Sequence, residues 1–292
     1  MMCPVVYGKI QLARDPKGVL VADRTEFTDV LYEKDGGIAT ITLNRPEVLN
    51  ALRAQTYIDL IAAMRLSTDD DEIGVVILTG AGDRAFSSGG DVRGQKTRTV
   101  SAGRKHLHRM MELYSLLRNS GKPSIAAVNG YSIGGGHELH LMCDLTIASD
   151  KARFGQVGPK VGSVPIWGAT QLLPRMVGEK RAREMMYLCH QYSAEEALQM
   201  GLVNKVVPHD ELLKATREWA EEILDKSPQS LRIAKTSLNF ESDLLYSSYL
   251  HGMEMLSLTY GNQENLEGVN AFLEKRPPDY RKFRRNETEQ TG

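Results

Sequence analysis

Three cysteines in 292 residues, Cys3, Cys143 and Cys189, are too few and too widely spaced for a disulfide framework, and they match no zinc pattern. They suit a reducing compartment. No apolar run approaches the ~20 residues that a membrane-spanning helix needs. The segment Met1 to Lys9 lacks the apolar core of a secretory signal, and Asp15, Asp23 and Glu26 are foreign to a transit peptide. A cytoplasmic location with no membrane partner is the expectation. Excess charge is missing too. Lys and Arg number 36 against 37 Asp and Glu, a net charge of −1, so no bulk field draws in nucleic acid. Low-complexity tracts, close repeats and domain-sized linkers are also absent. What is present, 41% hydrophobic and 25% charged residues, is the composition of an ordinary globular chain with ample core.

The chain is organised around Lys122 to Asp150. Ser124 to Val128 predicts a buried strand, Gly134, Gly135 and Gly136 a tight turn, and Glu138 to Cys143 a helix. A strand, a glycine turn and a helix N-terminus leave backbone N–H groups bare at the positive end of a helix dipole. The glycines let a ligand approach closely. No Gly-Lys-Ser/Thr ending follows, which excludes a Walker-type phosphate loop. The expected ligand is an oxygen that gains negative charge during reaction, as in an oxyanion hole. Glu138 lies about one turn into the helix, where its carboxylate can reach the same ligand. The competing structural interpretation is a packing turn followed by a solvated glutamate.

A second glycine turn, Ala81 to Asp91, follows the buried strand Gly74 to Gly80 and offers Gly90 as a second N–H donor. Upstream, Val30 to Leu43 predicts two strands joined at Asp35-Gly36-Gly37. Gln55 to Met64 predicts a helix with Tyr57, Leu60, Ile61 and Met64 on its apolar face. Asp69 to Glu72 reads as a solvated loop. Residues 92–103 read as a mobile loop, followed by helix to about Leu117. Leu145 to Ala148 and Phe154-Gly155 predict strands, and Gly158 to Thr170 a long loop. Helices are then expected at about 169–177, 179–188, 193–200, 208–226, 228–239, 243–260 and 264–274, with one strand at Val203 to Val207. Residues 1–27 show no clear period and read as an N-terminal extension. The basic patch Arg281 to Arg285 is more in keeping with a solvated end than with a nucleic-acid site. Strand–strand–helix units followed by helices make the fold class α/β (α+β).

Taken together, these blocks resemble the crotonase (enoyl-CoA hydratase/isomerase) superfamily over about residues 28–283. The resemblance rests on Asn44-Arg-Pro-Glu-Val-Leu-Asn-Ala51, Ala85-Phe-Ser-Ser-Gly-Gly-Asp91, Lys122-Pro123 and Asn129-Gly-Tyr-Ser-Ile-Gly-Gly-Gly-His-Glu-Leu139. Cys143-Asp144, Phe154-Gly-Gln156, Ala197 to Val203 and Glu267 to Arg276 extend it. It implies a spiral of ββα units over residues 28–205. The C-terminal helical region, 206–292, would drive homotrimers, often paired into hexamers. It also implies an acyl-CoA substrate, no cofactor and no metal, with the Gly90 and Gly135 N–H groups on the thioester oxygen. Arg45 and the segment Ser88, Gly89, Gly90, Asp91 match CoA-contacting positions. Lys275 matches a residue that reaches the CoA nucleotide, in its own or a neighbouring subunit.

Side chains that vary within the superfamily sharpen the expectation. Ordinary hydratases place two glutamates around one water; Glu138 matches the first, and the second falls at Gly158. Gln156 to Ser163, Arg181 to Cys189 and the 260–285 region are similar to the 1,4-dihydroxy-2-naphthoyl-CoA synthases and the ketocyclohexanecarboxyl-CoA hydrolases. The synthases' aspartate, however, falls at Pro165, and they carry no acid where this chain has Glu138. Glu138 combined with Gly158-Pro-Lys-Val-Gly-Ser-Val-Pro-Ile-Trp-Gly-Ala-Thr170 resembles the hydrolases of 6-oxocyclohexene-carbonyl-CoA. The expected activity is hydrolytic opening of an alicyclic oxo- or enoyl-CoA ring, with Glu138 as general base. Hydration of an enoyl-CoA and synthase-like lyase chemistry are the alternatives. An RNA-binding module of the same fold is the non-enzyme alternative, opposed by the net charge. Ser163 is expected to position water or substrate, or to serve as a turn hydroxyl. Trp167 is expected to shape an acyl pocket or pack at a trimer interface, and Tyr260 to touch substrate or pack. His137 and His140 are expected to be structural, Cys143 to be core and Asp144 to cap or pair locally.

Overall fold

A computed structural model describes residues 12–14, 20–22, 27–94, 96 and 98–284. Two short strands, β1 (Leu12–Arg14) and β2 (Leu20–Ala22), pair antiparallel with each other, and β2 pairs with β3 (Val30–Asp35). These segments of the expected N-terminal extension are therefore sheet, and the remaining residues of 1–26 lie outside the described residues.

Four strand–strand–helix units follow. They are β3 and β4 (Ile38–Leu43) with α1 (Ala54–Asp69), and β5 (Val75–Gly80) and β6 (Ala85–Ser87) with α2 (Val100–Asn119). Next come β7 (Ser124–Val128) and β8 (Tyr131–Ile133) with α3 (Gly135–Leu141), then β9 (Leu145–Ser149) and β10 (Arg153–Gly155) with α4 (Ala169–Val177). The rest is α5 (Glu179–Leu188), β11 (Gln191–Ser193), α6 (Ala194–Gln199), β12 (Lys205–Val207), α7 (Leu212–Leu224), α8 (Pro228–Asp243), α9 (Tyr246–Thr259) and α10 (Gln263–Leu273).

In each of the last three units the first strand enters a large sheet, ordered β1-β2-β3-β4-β5-β7-β9-β12. The second enters a small sheet, ordered β11-β10-β8-β6. That alternation is the expected ββα spiral. Its cause is legible in β5 and β7, which are buried along their whole length. Val76, Leu78, Ala126 and Val128 face the main core under α1 and α2. Val75, Ile77, Ile125 and Ala127 face a second cluster closed by Leu212, Ala215 and Ala220 of α7. A parallel strand covered on both faces needs apolar residues at every position. The main core runs on through Tyr249, Met253, Leu256 and Tyr260, so α9 packs into the body that the spiral forms.

Several boundaries differ from expectation. Asp69, read as loop, ends α1. The stretch read as mobile over 92–103 holds a 3-10 turn at Val92–Gly94 and the first turn of α2, with residues 95 and 97 outside the described set. Thr99 caps that helix by accepting the Ala102 N–H at 3.2 Å, and His106, Leu107 and Met110 bury its inner face. Strand β11 was not expected, because three residues carry no readable period. The loop read at 158–170 begins with a 3-10 turn, Gly158–Val161. In the basic tail, Lys282 binds Glu267 at 3.0 Å, and Arg285 lies outside the described residues. Among the described residues no helix is long and apolar enough to cross a membrane.

Candidate active site

The two glycine turns meet. Strand β6 runs into Ser88–Asp91 and strand β8 into Gly134–Gly136, side by side in the small sheet. Gly89 sits at φ +90°, where a Cβ would lie 2.7 Å from the Ile133 carbonyl oxygen and 3.0 Å from the Gly135 nitrogen. A Cβ at Gly136 would overlap the Ser87 carbonyl. Only glycine permits this approach. The Leu52 N–H donates to Gly89 O at 2.8 Å and the Asp91 N–H to Leu52 O at 2.9 Å, which turns the Gly90 N–H away from Leu52. Gly135 is the first residue of α3, so its N–H has no intrahelical acceptor. Among the described residues neither N–H is paired. The Cβ position of Gly135 lies 3.5 Å from the Gly90 nitrogen, so the two donors serve one site.

They open onto a cavity of about 80 Å³, which Glu138, Ser163, Trp167 and Tyr260 also line. Glu138 is buried, and its Oε1 accepts the Trp167 N–H at 2.6 Å. Trp167 is anchored in turn by its indole N–H, which donates to Met110 O at 2.8 Å. Burial pushes the Glu138 carboxyl up to about 8, against the opposing pull of the Trp167 and Ala169 N–H groups. A carboxyl poised there can take and return a proton near neutral pH.

Other lining residues were not singled out as site residues from the sequence: Leu52, Tyr57, Arg98, His106, Met110, Val164, Ile166 and Leu256. Tyr57 packs edge-on against His106 at 4.8 Å and Trp167 at 5.5 Å. Burial raises the Tyr57 hydroxyl, and the nearby Glu138 adds to it. Burial holds His106 down to about 3, with Arg98 and Arg109 contributing, so its imidazole is neutral. Arg98 donates to the Tyr260 hydroxyl at 3.4 Å, with its guanidinium 5.1 Å from the ring centre. Gly103 makes room for that ring: a Cβ there would lie 2.5 Å from it. Tyr57 was legible only as a core residue. His106 and Met110 share one face of α2 at i, i+4 spacing, and Arg98 gave no signal at all.

The remaining expected residues lie outside the cavity lining. Arg45 donates to Ala51 O and, at 3.3 Å, to Asp91, so these two expected CoA contacts hold each other beside the Gly90 turn. The Ser88 N–H is taken by Leu49 O at 2.9 Å. Lys275 stands exposed just after α10, in left-handed backbone with φ 56°. Asp144 is not locally paired. It accepts from Ser124 N–H and from Lys235 of α8, both at 2.8 Å, because the buried Lys235 needs a counter-charge. His137 and His140 are buried beside Phe154, away from the lining, and burial holds both neutral. Among the described residues no group of three or more His, Cys, Asp or Glu is placed to hold a metal.

Known proteins share this architecture. A family model described as enoyl-CoA hydratase/isomerase matches residues 33–284. An enoyl-CoA hydratase from Mycobacterium avium subsp. paratuberculosis K-10 is 28% identical, with a TM-score of 0.79, over 87% of this chain and 98% of that one. An enoyl-CoA hydratase from Bacillus anthracis is 32% identical with a TM-score of 0.71, covering 87% and 99%. A monofunctional enoyl CoA isomerase from M. smegmatis is 35% identical with a TM-score of 0.64, covering 74% and 94%.

Proposed function

The chain belongs to the enoyl-CoA hydratase/isomerase family, enzymes that act on CoA thioesters, and from that premise we propose that it opens an alicyclic oxo-acyl-CoA ring by hydrolysis. One observation carries the reading. Glu138 is the sole carboxylate among the described residues lining the cavity. Gly158, where the second glutamate of two-glutamate hydration falls, supplies no side chain and is held in a 3-10 turn.

The ionised Glu138 takes a proton from water, and the hydroxide adds to the ring ketone carbon next to the thioester α-carbon. The bond between those two carbons breaks. Its electron pair passes to the α-carbon and into the thioester as an enolate, whose oxygen the Gly90 and Gly135 N–H groups hold. Glu138 returns the proton to the α-carbon, and the former ketone carbon becomes a carboxylic acid. One water is consumed, and no metal or cofactor enters the sequence. Arg45, Ser88, Asp91 and Lys275 are assigned to the CoA moiety. The exposed Leu238 and Phe240 on α8, Leu244 in the turn that follows it, and Met255 and Leu258 on α9 are assigned to self-association as a trimer or hexamer, which light scattering after gel filtration would measure.

Hydration of an enoyl-CoA is the second reading. It is favoured because the M. avium and B. anthracis relatives are described as hydratases. Mass spectrometry separates the two, on crotonyl-CoA, cyclohexene and cyclohexadiene carbonyl-CoAs and their oxo derivatives, with wild type and Glu138→Gln side by side. Ring opening is expected to add one water and one free carboxylate, lost in the variant. Water gained only as a hydroxyl would replace this reading with hydration.

A further inference from the structure

We infer, resting on the ring-opening reading, that Arg98 determines specificity by binding a second oxygen of the acyl group: the ring ketone, and then the carboxylate into which it is converted. The two backbone donors serve the thioester oxygen, and Glu138 serves the proton. Neither task uses the guanidinium that lines the same cavity. Among the described residues no carboxylate forms an ion pair with Arg98; its partner is the hydroxyl and ring of Tyr260. The rest of the lining is apolar at Leu52, Met110, Val164 and Ile166 and uncharged at Tyr57, His106 and Ser163. A cation in such surroundings gains most from an anionic or strongly polar oxygen. A straight-chain enoyl group brings none beyond its thioester. An oxo ring brings one, and its opened product brings a carboxylate that suits the planar guanidinium fork. Tyr260 positions the fork, and Gly103 leaves space for the tyrosine ring.

The test is calorimetric binding of two unreactive saturated thioesters with seven-carbon acyl chains, heptanoyl-CoA and its ω-carboxylate counterpart 6-carboxyhexanoyl-CoA. Wild type is expected to prefer the carboxylate by about tenfold or more, the ratio expected of one charge-assisted hydrogen bond. In Arg98→Met the ratio should fall to about one, and in Arg98→Lys it should fall between the two. A wild-type ratio at or below one overturns the inference. So does a preference that survives in Arg98→Met, or an equal weakening of both thioesters, which would assign Arg98 to the CoA phosphates. The wild-type ratio and Arg98→Lys keep the test decisive if the methionine variant does not fold. Binding does not depend on turnover. An Arg98-dependent preference in a protein that only hydrates would sink ring opening and with it the ketone-to-carboxylate assignment, leaving Arg98 as the site for a second oxygen of some other acyl group.

Discussion

The cavity is lined in two different ways. One part is backbone: the N–H groups of Gly90 and Gly135, fixed by strand ends and by the neighbouring Gly89 and Gly136, which nothing larger can replace. The other is side chain: Tyr57, Arg98, His106 and Tyr260, drawn from α1, the approach to α2, α2 itself and the residue after α9. The backbone part carries no net charge and is already oriented, so under the proposed function it would stabilise an enolate without reorganising. Its task is the same for any thioester. The side-chain part holds a cation and neutral polar groups, and in the proposed reading its composition decides which acyl group is accepted. Glu138 stands between the two, oriented by the Trp167 N–H and tuned by burial. On that reading general chemistry is built from the main chain and selectivity from side chains, which can change without disturbing the turns.

Substitutions can break this division. The largest effect is expected from Glu138→Gln, which removes the proton carrier: turnover should fall by roughly 10²–10⁴-fold, with heptanoyl-CoA still bound. Gly135→Pro comes next. Proline is tolerated at the first position of a helix, and it deletes one oxyanion donor, so kcat should fall by about 10²–10³-fold. A loss below tenfold in single-turnover assays would remove Gly135 from the oxyanion hole. Gly103→Ala acts only on the side-chain part. Its Cβ meets the Tyr260 ring at 2.5 Å, and overpacking of this kind costs ~1–3 kcal/mol. A lowered Tm together with a reduced 6-carboxyhexanoyl-CoA preference is expected, while the thioester oxygen site stays intact.

The smallest effects come from pH. For base catalysis Glu138 must be ionised, so kcat/KM should rise with pH towards a plateau with a midpoint near the 8 to which burial raises it. Stability runs the other way. The folded chain holds the Glu138 proton up to about 8, whereas the unfolded chain releases it near 4.5. This contribution is therefore full below about 4.5 and is lost as pH rises through about 8. Denaturant titrations from pH 5 to 9 should show that decline in wild type, and a flatter profile in Glu138→Gln.

Much of the backbone part was legible beforehand. Apolar runs marked β5 and β7, and glycines marked both turns and the two N–H groups that line the cavity. A carboxylate one turn past Gly135 marked Glu138. The side-chain part was largely hidden. Tyr57 looked like any core tyrosine, and Arg98 stood in a polar stretch read as mobile loop. The start of α2, set by the Thr99 cap, fell inside that same stretch. Asp144 and Lys235 gave no hint of each other across 91 residues.

Although their winding into a spiral was implied only by the family resemblance, sequence by itself determined the strand–strand–helix units, the two glycine turns and the carboxylate. These follow from local causes: both-face burial of a strand, the φ freedom of glycine, and the orphan N–H of a helix start. Tertiary structure alone decided that Glu138 is buried deeply enough to hold its proton near neutral pH, and that Arg98 meets Tyr260 at the wall of the same cavity. Desolvation and contacts across 162 residues depend on how the core closes, and no local pattern of residues encodes that closure.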